Sequence, residues 1–179
     1  MKPRSYFTLH EIVLLTLLAA LVFVLRVYLR IPTHIPGKSG LFWVIPIIIG
    51  IGIAGKPGSG TYMGVISGAL AVLFGIGDNG ALEFINYLAM GLALDLFCYL
   101  FRGRLDNVLA GVVIGAGANL SKMIVNYSLD YIMGVPLELI VLKMNIAPVT
   151  HFVAGGLGGA IAALILGRLY RSGVVRKHE

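Results

Sequence analysis

The sequence predicts an all-α integral membrane protein, a single bundle of six transmembrane helices with the N and C termini in the cytoplasm. Of the 179 residues, 58% are hydrophobic and only 12% are charged, and the mean hydropathy is +0.93. A soluble domain carries roughly 25% charged residues. Because too little polar surface exists to coat a water-soluble globule, we expect a multi-pass protein of the cell membrane, surrounded by the lipid bilayer.

Six apolar segments are long enough to be considered as spans, since a bilayer core of about 30 Å needs roughly 20 apolar residues per helix. They cover residues 9–29, 41–54, 60–76, 82–101, 108–127 and 147–169, and together they make residues 1–179 one domain. The second is short and is expected to extend backwards or to tilt. No small-x-small cleavage site follows the first segment, which predicts a retained helix rather than a signal peptide.

The charge distribution predicts the orientation. An even number of spans places both termini on one side, and nine of the fourteen basic residues then share that side. The positive-inside rule makes it the cytoplasm. The same rule explains the net charge of +6, so no nucleic-acid partner is expected. The single cysteine, Cys98, and the scattered histidines predict neither a metal site nor a cofactor.

Small residues recur at intervals of four in three of the segments, a spacing that lets helix backbones approach closely in a membrane. We expect internal helix packing at these positions, which are Gly60, Gly64, Gly68, Gly111, Gly115, Gly155 and Gly159.

Polar residues concentrate in the predicted outer halves of the last three spans, on shared helix faces. Because burying such groups is costly unless they are paired or solvated, the sequence predicts a binding pocket open to the outside. The alternatives are a structural Glu83–Lys122 ion pair, interhelical asparagine ties and a core histidine. The candidate binding residues on these spans are Glu83, Asn86, Tyr87, Asn119, Lys122, Asn126 and His151.

Two loops are predicted on the same side. The loop at 31–40 carries His34 and Lys38, with Trp43 just beyond it, and these three complete the candidate substrate-binding set. The loop at 128–144 contains a short helix that begins at Pro136. The amides suit a heterocycle and the aromatic rings suit stacking, whereas the cationic groups fit a carboxylate or a phosphate equally well.

Two further polar residues bear on function. Asp95 is expected to cap or tie helices, with a proton relay as the alternative. Ser67 and His151 raise the possibility of an intramembrane hydrolase, but the segment 64–68 departs from Gly-x-Ser-Gly because Val65 is not a glycine. The sequence also leaves open a stand-alone small solute carrier or channel, and a purely structural assembly subunit.

Two stretches resemble a known family. The first is the Lys-Pro-Gly turn with the small-residue helix that follows it, at 53–60, 67–70 and 74–75, and the second is the segment from Tyr87 to Leu96, which includes Asp95. Both are similar to the substrate-binding S-component of energy-coupling-factor (ECF) vitamin transporters. The hydroxymethylpyrimidine/thiamine-precursor type is the most similar. The likeness covers the whole chain in layout and about helices two to four in detail.

The resemblance implies a vitamin-capture subunit of an ABC importer that is not itself an enzyme. Its partners would be a transmembrane coupling subunit and two cytoplasmic ATPase subunits, and its ligand would lie under the first loop. The family's first helix carries an Ala-x-x-x-Ala docking stripe. Here the nearest match is Thr16 and Ala20, with Ala19 beside them, because Phe23 and Val24 occupy the following positions, and the chain departs from the pattern in this respect.

Overall fold

The fold is entirely helical in the part of the chain that the computed structural model describes, residues 6–28, 37, 39–77, 79–101 and 104–175. A 3-10 turn, Gly80–Leu82, leads into the fourth of seven α-helices. The helices are α1 (Leu9–Tyr28), α2 (Gly40–Ala54), α3 (Ser59–Leu73), α4 (Glu83–Leu100), α5 (Val108–Ile132), α6 (Leu137–Met144) and α7 (Ala147–Arg171).

Helix length and composition identify a membrane protein. Within the described residues, four segments are long and apolar enough to cross a bilayer: Leu9–Tyr28, Gly80–Leu100, Val108–Ile132 and Ala147–Arg171. The apolar α2 and α3 have 15 residues each, or about 22 Å at 1.5 Å per residue. The prediction of an all-helical membrane protein is therefore confirmed, whereas six crossings and the orientation of the termini stay predictions.

The predicted boundaries differ from the helices mainly in α5. This helix continues to Ile132, five residues past the predicted end at Tyr127, because the first backbone break is at Gly134, whose φ is 83°. The short α6 begins directly after Pro136, as predicted.

Glycines bring helices into direct contact, as the four-residue spacing predicted. A β-carbon at Gly111 would meet the carbonyl oxygen of Gly159, and one at Gly115 would meet that of Gly155, so α5 and α7 touch backbone to backbone. The α3–α4 contact is of the same kind, with Gly60 against Gly91. These close contacts fix the rotation of α5 and α7, and thereby the direction in which their polar residues face.

Hydrogen bonds at one end of the bundle, which we name the Lys56 end, tie the α2–α3 turn to the start of α1. Lys56 Nζ lies 2.6 Å from Glu11 Oε2 and 3.0 Å from the carbonyl oxygen of Tyr6. Tyr170, near the end of α7, donates its hydroxyl to the carbonyl oxygen of Gly52, 3.1 Å away. The end of α1 and the start of α7 are therefore at the opposite end of the bundle.

Asp95 caps α3 from a neighbouring helix. One carboxylate oxygen accepts the backbone N–H of Gly60 at 2.9 Å, and the other accepts the N–H and the hydroxyl of Thr61 at 2.7 and 2.6 Å. These bonds satisfy donors that the first turn of a helix leaves unpaired. The expectation that Asp95 caps or ties helices is confirmed.

Candidate functional site

A polar cluster lies at the end of the bundle opposite Lys56. We define it by ten residues from five helices and one turn, which are linked by the hydrogen bonds, ion pair and ring contacts described below. They are Arg26, Trp43, Asn79, Glu83, Asn86, Tyr87, Asn119, Lys122, Asn126 and His151.

An ion pair joins α1 to α4 in this cluster. Arg26 Nη2 lies 2.7 Å from Glu83 Oε1, and the Glu83 side chain is 3% exposed. Asn86, one helical turn further along α4, donates to the other oxygen of Glu83 at 3.3 Å. The carboxylate is thus held by a guanidinium and an amide. The direct partner of Glu83 is thus Arg26 on α1, and Lys122, the partner that the alternative named, attracts the same carboxylate only from a longer distance.

Asn126 connects α5 to α4 and to the turn before it. Its Oδ1 accepts from Asn86 Nδ2 and from Asn79 Nδ2, each at 3.1 Å. Asn86 Nδ2 therefore donates to both Glu83 and Asn126, which leaves Asn86 Oδ1 to seek a partner elsewhere. Two hydrogen bonds donated by Nδ2 therefore hold the Asn86 amide in one orientation, as a positioned recognition group requires.

Asn119 and His151 form a second pair, between α5 and α7. Asn119 Nδ2 donates to the carbonyl oxygen of His151 at 2.8 Å and to that of Gly37 at 3.3 Å, and His151 Nδ1 lies 3.1 Å from the carbonyl oxygen of Asn119. A β-carbon at Gly37 would overlap the His151 ring, and one at Gly40 would overlap the Asn119 amide. The backbone just before α2 thus packs directly on this pair.

Lys122 lies between aromatic rings rather than beside an acid. Its Nζ is 5.3 Å from the centroid of the Trp43 ring and 5.9 Å from that of Tyr87. Arg26 is a second cation at Tyr87, and its guanidinium carbon lies 5.2 Å from the centroid of the same ring. Two cations are therefore within about 6 Å of the centroid of one buried aromatic ring, whose quadrupole attracts each of them.

Four buried side-chain atoms in the described residues have no hydrogen-bond partner, and all four belong to the polar cluster. They are Trp43 Nε1, Asn86 Oδ1, Tyr87 Oη and Asn119 Oδ1, of which Tyr87 Oη lies near the Arg26 guanidinium without well-formed hydrogen-bond geometry. Each of these residues is at most 3% exposed. A buried polar group without a partner costs about 1–3 kcal/mol. Four such atoms in a single cluster therefore require an explanation.

The structure thus brings together eight of the ten predicted binding residues. The other two, His34 and Lys38, lie outside the described residues, but the neighbouring Gly37 contacts Asn119 and His151. Sequence reasoning missed Arg26 and Asn79. The signal for Arg26 was its basic charge at the predicted outer end of the first helix, where the positive-inside rule disfavours it.

The predicted docking residues lie along the contact of α1 with α3. Thr16 is hydrogen-bonded to Tyr62 through the two hydroxyls at 2.8 Å, and the carbonyl oxygen of Ala19 accepts from the Ser67 hydroxyl at 3.0 Å. Ala19 is fully buried, whereas Thr16 and Ala20 are half-buried. Docking of a partner helix at these residues stays a prediction.

The cluster offers amide, ammonium, guanidinium, indole and imidazole groups around two aromatic rings. Among the described residues, no group of three or more His, Cys, Asp or Glu side chains could hold a metal ion. Comparison with family models, with curated proteins and with solved structures finds no match to this chain. The fold and the cluster define a helical membrane protein with a buried polar site.

Proposed function

We propose that the chain is the substrate-capture subunit of an ECF-type ABC importer in the cell membrane, and that it binds a small vitamin or vitamin precursor in the polar cluster. The observation that carries the proposal is the set of four unpartnered buried atoms, on Trp43, Asn86, Tyr87 and Asn119. In this proposal a transmembrane coupling subunit and two cytoplasmic ATPase subunits supply the energy, and the chain itself catalyses nothing.

The hydrogen-bond pattern favours a binding site over structural ties. Asparagines that serve only to join helices would have both amide atoms paired, since an unpaired buried atom destabilises the fold. Here Asn86 and Asn119 use their Nδ2 atoms within the protein and leave both Oδ1 atoms unpaired. A ligand with N–H or O–H donors would complete them, which is the usual design of a small-molecule pocket.

The depth of the cluster fits a site inside the membrane. α2 begins beside Asn119 and ends at the Lys56 end, so its length of about 22 Å separates the cluster from that end. An apolar core is about 30 Å thick. With the Lys56 end in the cytoplasm and six helices crossing, the cluster lies in the outer part of the membrane and is reached from outside.

Two competing functions have less support. The Ser67 hydroxyl donates to Ala19 and the His151 ring pairs with Asn119, so a hydrolase would have to break both bonds to bring these groups together. A proton-coupled carrier with Asp95 as its relay would need a carboxylate that is already committed to the first turn of α3.

The test is mass spectrometry of small molecules released by heat from the purified, detergent-solubilised chain. We expect one metabolite at near one-to-one amount, and its loss in Asn126→Ala, because Asn126 positions Asn86. The matched control is Asn145→Ala, which removes an exposed amide at the C-terminal end of α6 and is expected to retain the metabolite.

Three outcomes would count against the proposal. An empty wild-type preparation that shows no thermal shift with a panel of vitamins would refute capture. Equal retention by Asn126→Ala and Asn145→Ala would show that the ligand lies elsewhere. Uptake into liposomes by this chain alone, without ATP or partners, would support the stand-alone carrier instead.

A further inference from the structure

The charges of the polar cluster do not balance within the described residues. Arg26 and Lys122 are basic, and Glu83 is the one carboxylate of the cluster. Glu83 is paired with Arg26 at 2.7 Å. The five other described acidic residues are placed elsewhere. Glu11 and Asp95 belong to the contacts at the Lys56 end, Asp106 lies beside Gly167, Asp130 faces Lys143, and Glu138 is exposed on α6. Lys122 forms no ion pair of its own among the described residues, and the nearby Glu83 carboxylate, which attracts it over a longer distance, is already held by Arg26.

An uncompensated ammonium is costly at this position, because the Lys122 residue is 9% exposed. Buried charges in proteins are normally paired or hydrogen-bonded, and the faces of Trp43 and Tyr87 supply only part of what a carboxylate would give. A bound anion would complete the charge pair. It would lie beside Lys122 Nζ, which is within about 6 Å of the centroids of the Trp43 and Tyr87 rings.

The unpartnered atoms specify the rest of the ligand. Trp43 Nε1 can only donate a hydrogen bond, whereas Asn86 Oδ1 and Asn119 Oδ1 can only accept. A ligand that matches them presents an acceptor toward Trp43 and Lys122 and N–H or O–H donors toward the two asparagines. Because cations lie over the faces of Trp43 and Tyr87, a flat aromatic ligand would meet these rings in edge-to-face contact, which is a favoured geometry for aromatic pairs.

We propose that the ligand is a planar heteroaromatic carboxylate whose carboxylate pairs with Lys122. This inference rests on the proposed capture function and narrows its substrate class. Among the described residues the cluster carries one excess positive charge, which one carboxylate matches, whereas a phosphate monoester carries about −1.5 to −2 at neutral pH. A cationic ring, such as a thiazolium, would be repelled by both Arg26 and Lys122 despite the aromatic rings.

The test uses Trp43, the single tryptophan of the chain, as a fluorescent reporter inside the site. The probes are pyridine, pyrimidine and pteridine rings, each as the carboxylate and as the primary amide, with the N-methylated pyridine amide as a cation and a phosphorylated pyrimidine. The full-length chain is titrated in detergent, and the change in Trp43 fluorescence gives a Kd for each probe. We expect a carboxylate to bind most tightly and the cation not to bind.

Variants at Lys122 separate charge from fold. Lys122→Met is expected to weaken carboxylate binding by roughly 30-fold or more, the lower limit for truncating a buried charge pair, and to leave the amide of the same ring unchanged. Lys122→Arg keeps the charge and is expected to keep the preference for the carboxylate. Lys143→Met, at an exposed lysine on α6, is the matched control and is expected to bind like the wild type.

The failure of this inference is distinguishable from that of the capture function. If the amide of each ring, the phosphorylated pyrimidine or the N-methylated pyridine amide binds as well as the carboxylate of the same ring, or if Lys122→Met leaves the preference intact, the inference is overturned and capture stands. If no probe binds and the purified chain releases no metabolite, both are overturned.

Discussion

The Arg26–Glu83 ion pair allows the arrangement of the polar cluster to be tested without knowledge of the ligand. Glu83→Gln keeps the size and the hydrogen bond of the side chain but leaves Arg26 without its counter-charge. Removing one partner of a buried pair costs about 3–5 kcal/mol, and Arg26 retains 23% exposure, so we expect about 3 kcal/mol. For a chain of this length each kcal/mol lowers Tm by roughly 2–4 °C, which gives about 6–12 °C.

Cys98 provides the assay, because it is the single cysteine and is 3% exposed. A thiol-reactive fluorogenic dye therefore labels the chain only as it unfolds, and the midpoint of labelling on heating gives Tm. The matched control is Glu11→Gln, which removes the charge of a more exposed carboxylate paired with Lys56 at the other end of the bundle. Pairs of this kind contribute about 0.5 kcal/mol, so the expected shift is only about 1–2 °C.

A double-mutant cycle shows whether Arg26 is the partner. Arg26→Met and Glu83→Gln should each destabilise, but the double variant should lose no more than either single variant, because no charge of the pair is then left alone. Losses that add in the double variant would refute the pairing. A Glu83→Gln shift as small as that of Glu11→Gln would refute its burial.

Two further predictions concern packing and capping, with the same dye assay. Gly159→Ala places a methyl group against the Gly111 carbonyl of α5 and is expected to cost about 1–3 kcal/mol. The control is Gly167→Ala on the same helix, whose methyl group meets only Asp106 atoms at 3.7 Å or more, so Tm should be unchanged or slightly raised because alanine is the better helix former. Equal shifts in Tm for the two variants would contradict the glycine contact. Asp95→Ala removes the cap of α3 and should lower the free energy of unfolding by about 1–2 kcal/mol. Asp95→Asn should lower it by an intermediate amount. An unchanged Tm in both variants would mean that the carboxylate does not stabilise the first turn of α3.

The elements of the fold were predictable because each depends on a short stretch of sequence. Apolar runs, glycine-rich turns and the proline before α6 act locally, so the helices lie where the sequence predicts them to within a few residues, except at the end of α5. The small residues at intervals of four predicted which faces of α5 and α7 would be internal, and their contact is observed. That α2 and α3 cross the whole membrane stays a prediction, since their length falls short of the apolar core.

The sequence by itself determined the composition of the polar faces, because residues three and four apart on a helix share a side wherever the helix lies. Glu83 with Asn86, and Lys122 with Asn126, were predictable on this ground. Only the tertiary structure decided which face meets which. It set Arg26 rather than Lys122 against Glu83, since the lateral order and rotation of the helices follow from contacts between distant segments, such as the glycines of α5 and α7, and not from the hydropathy of any one of them.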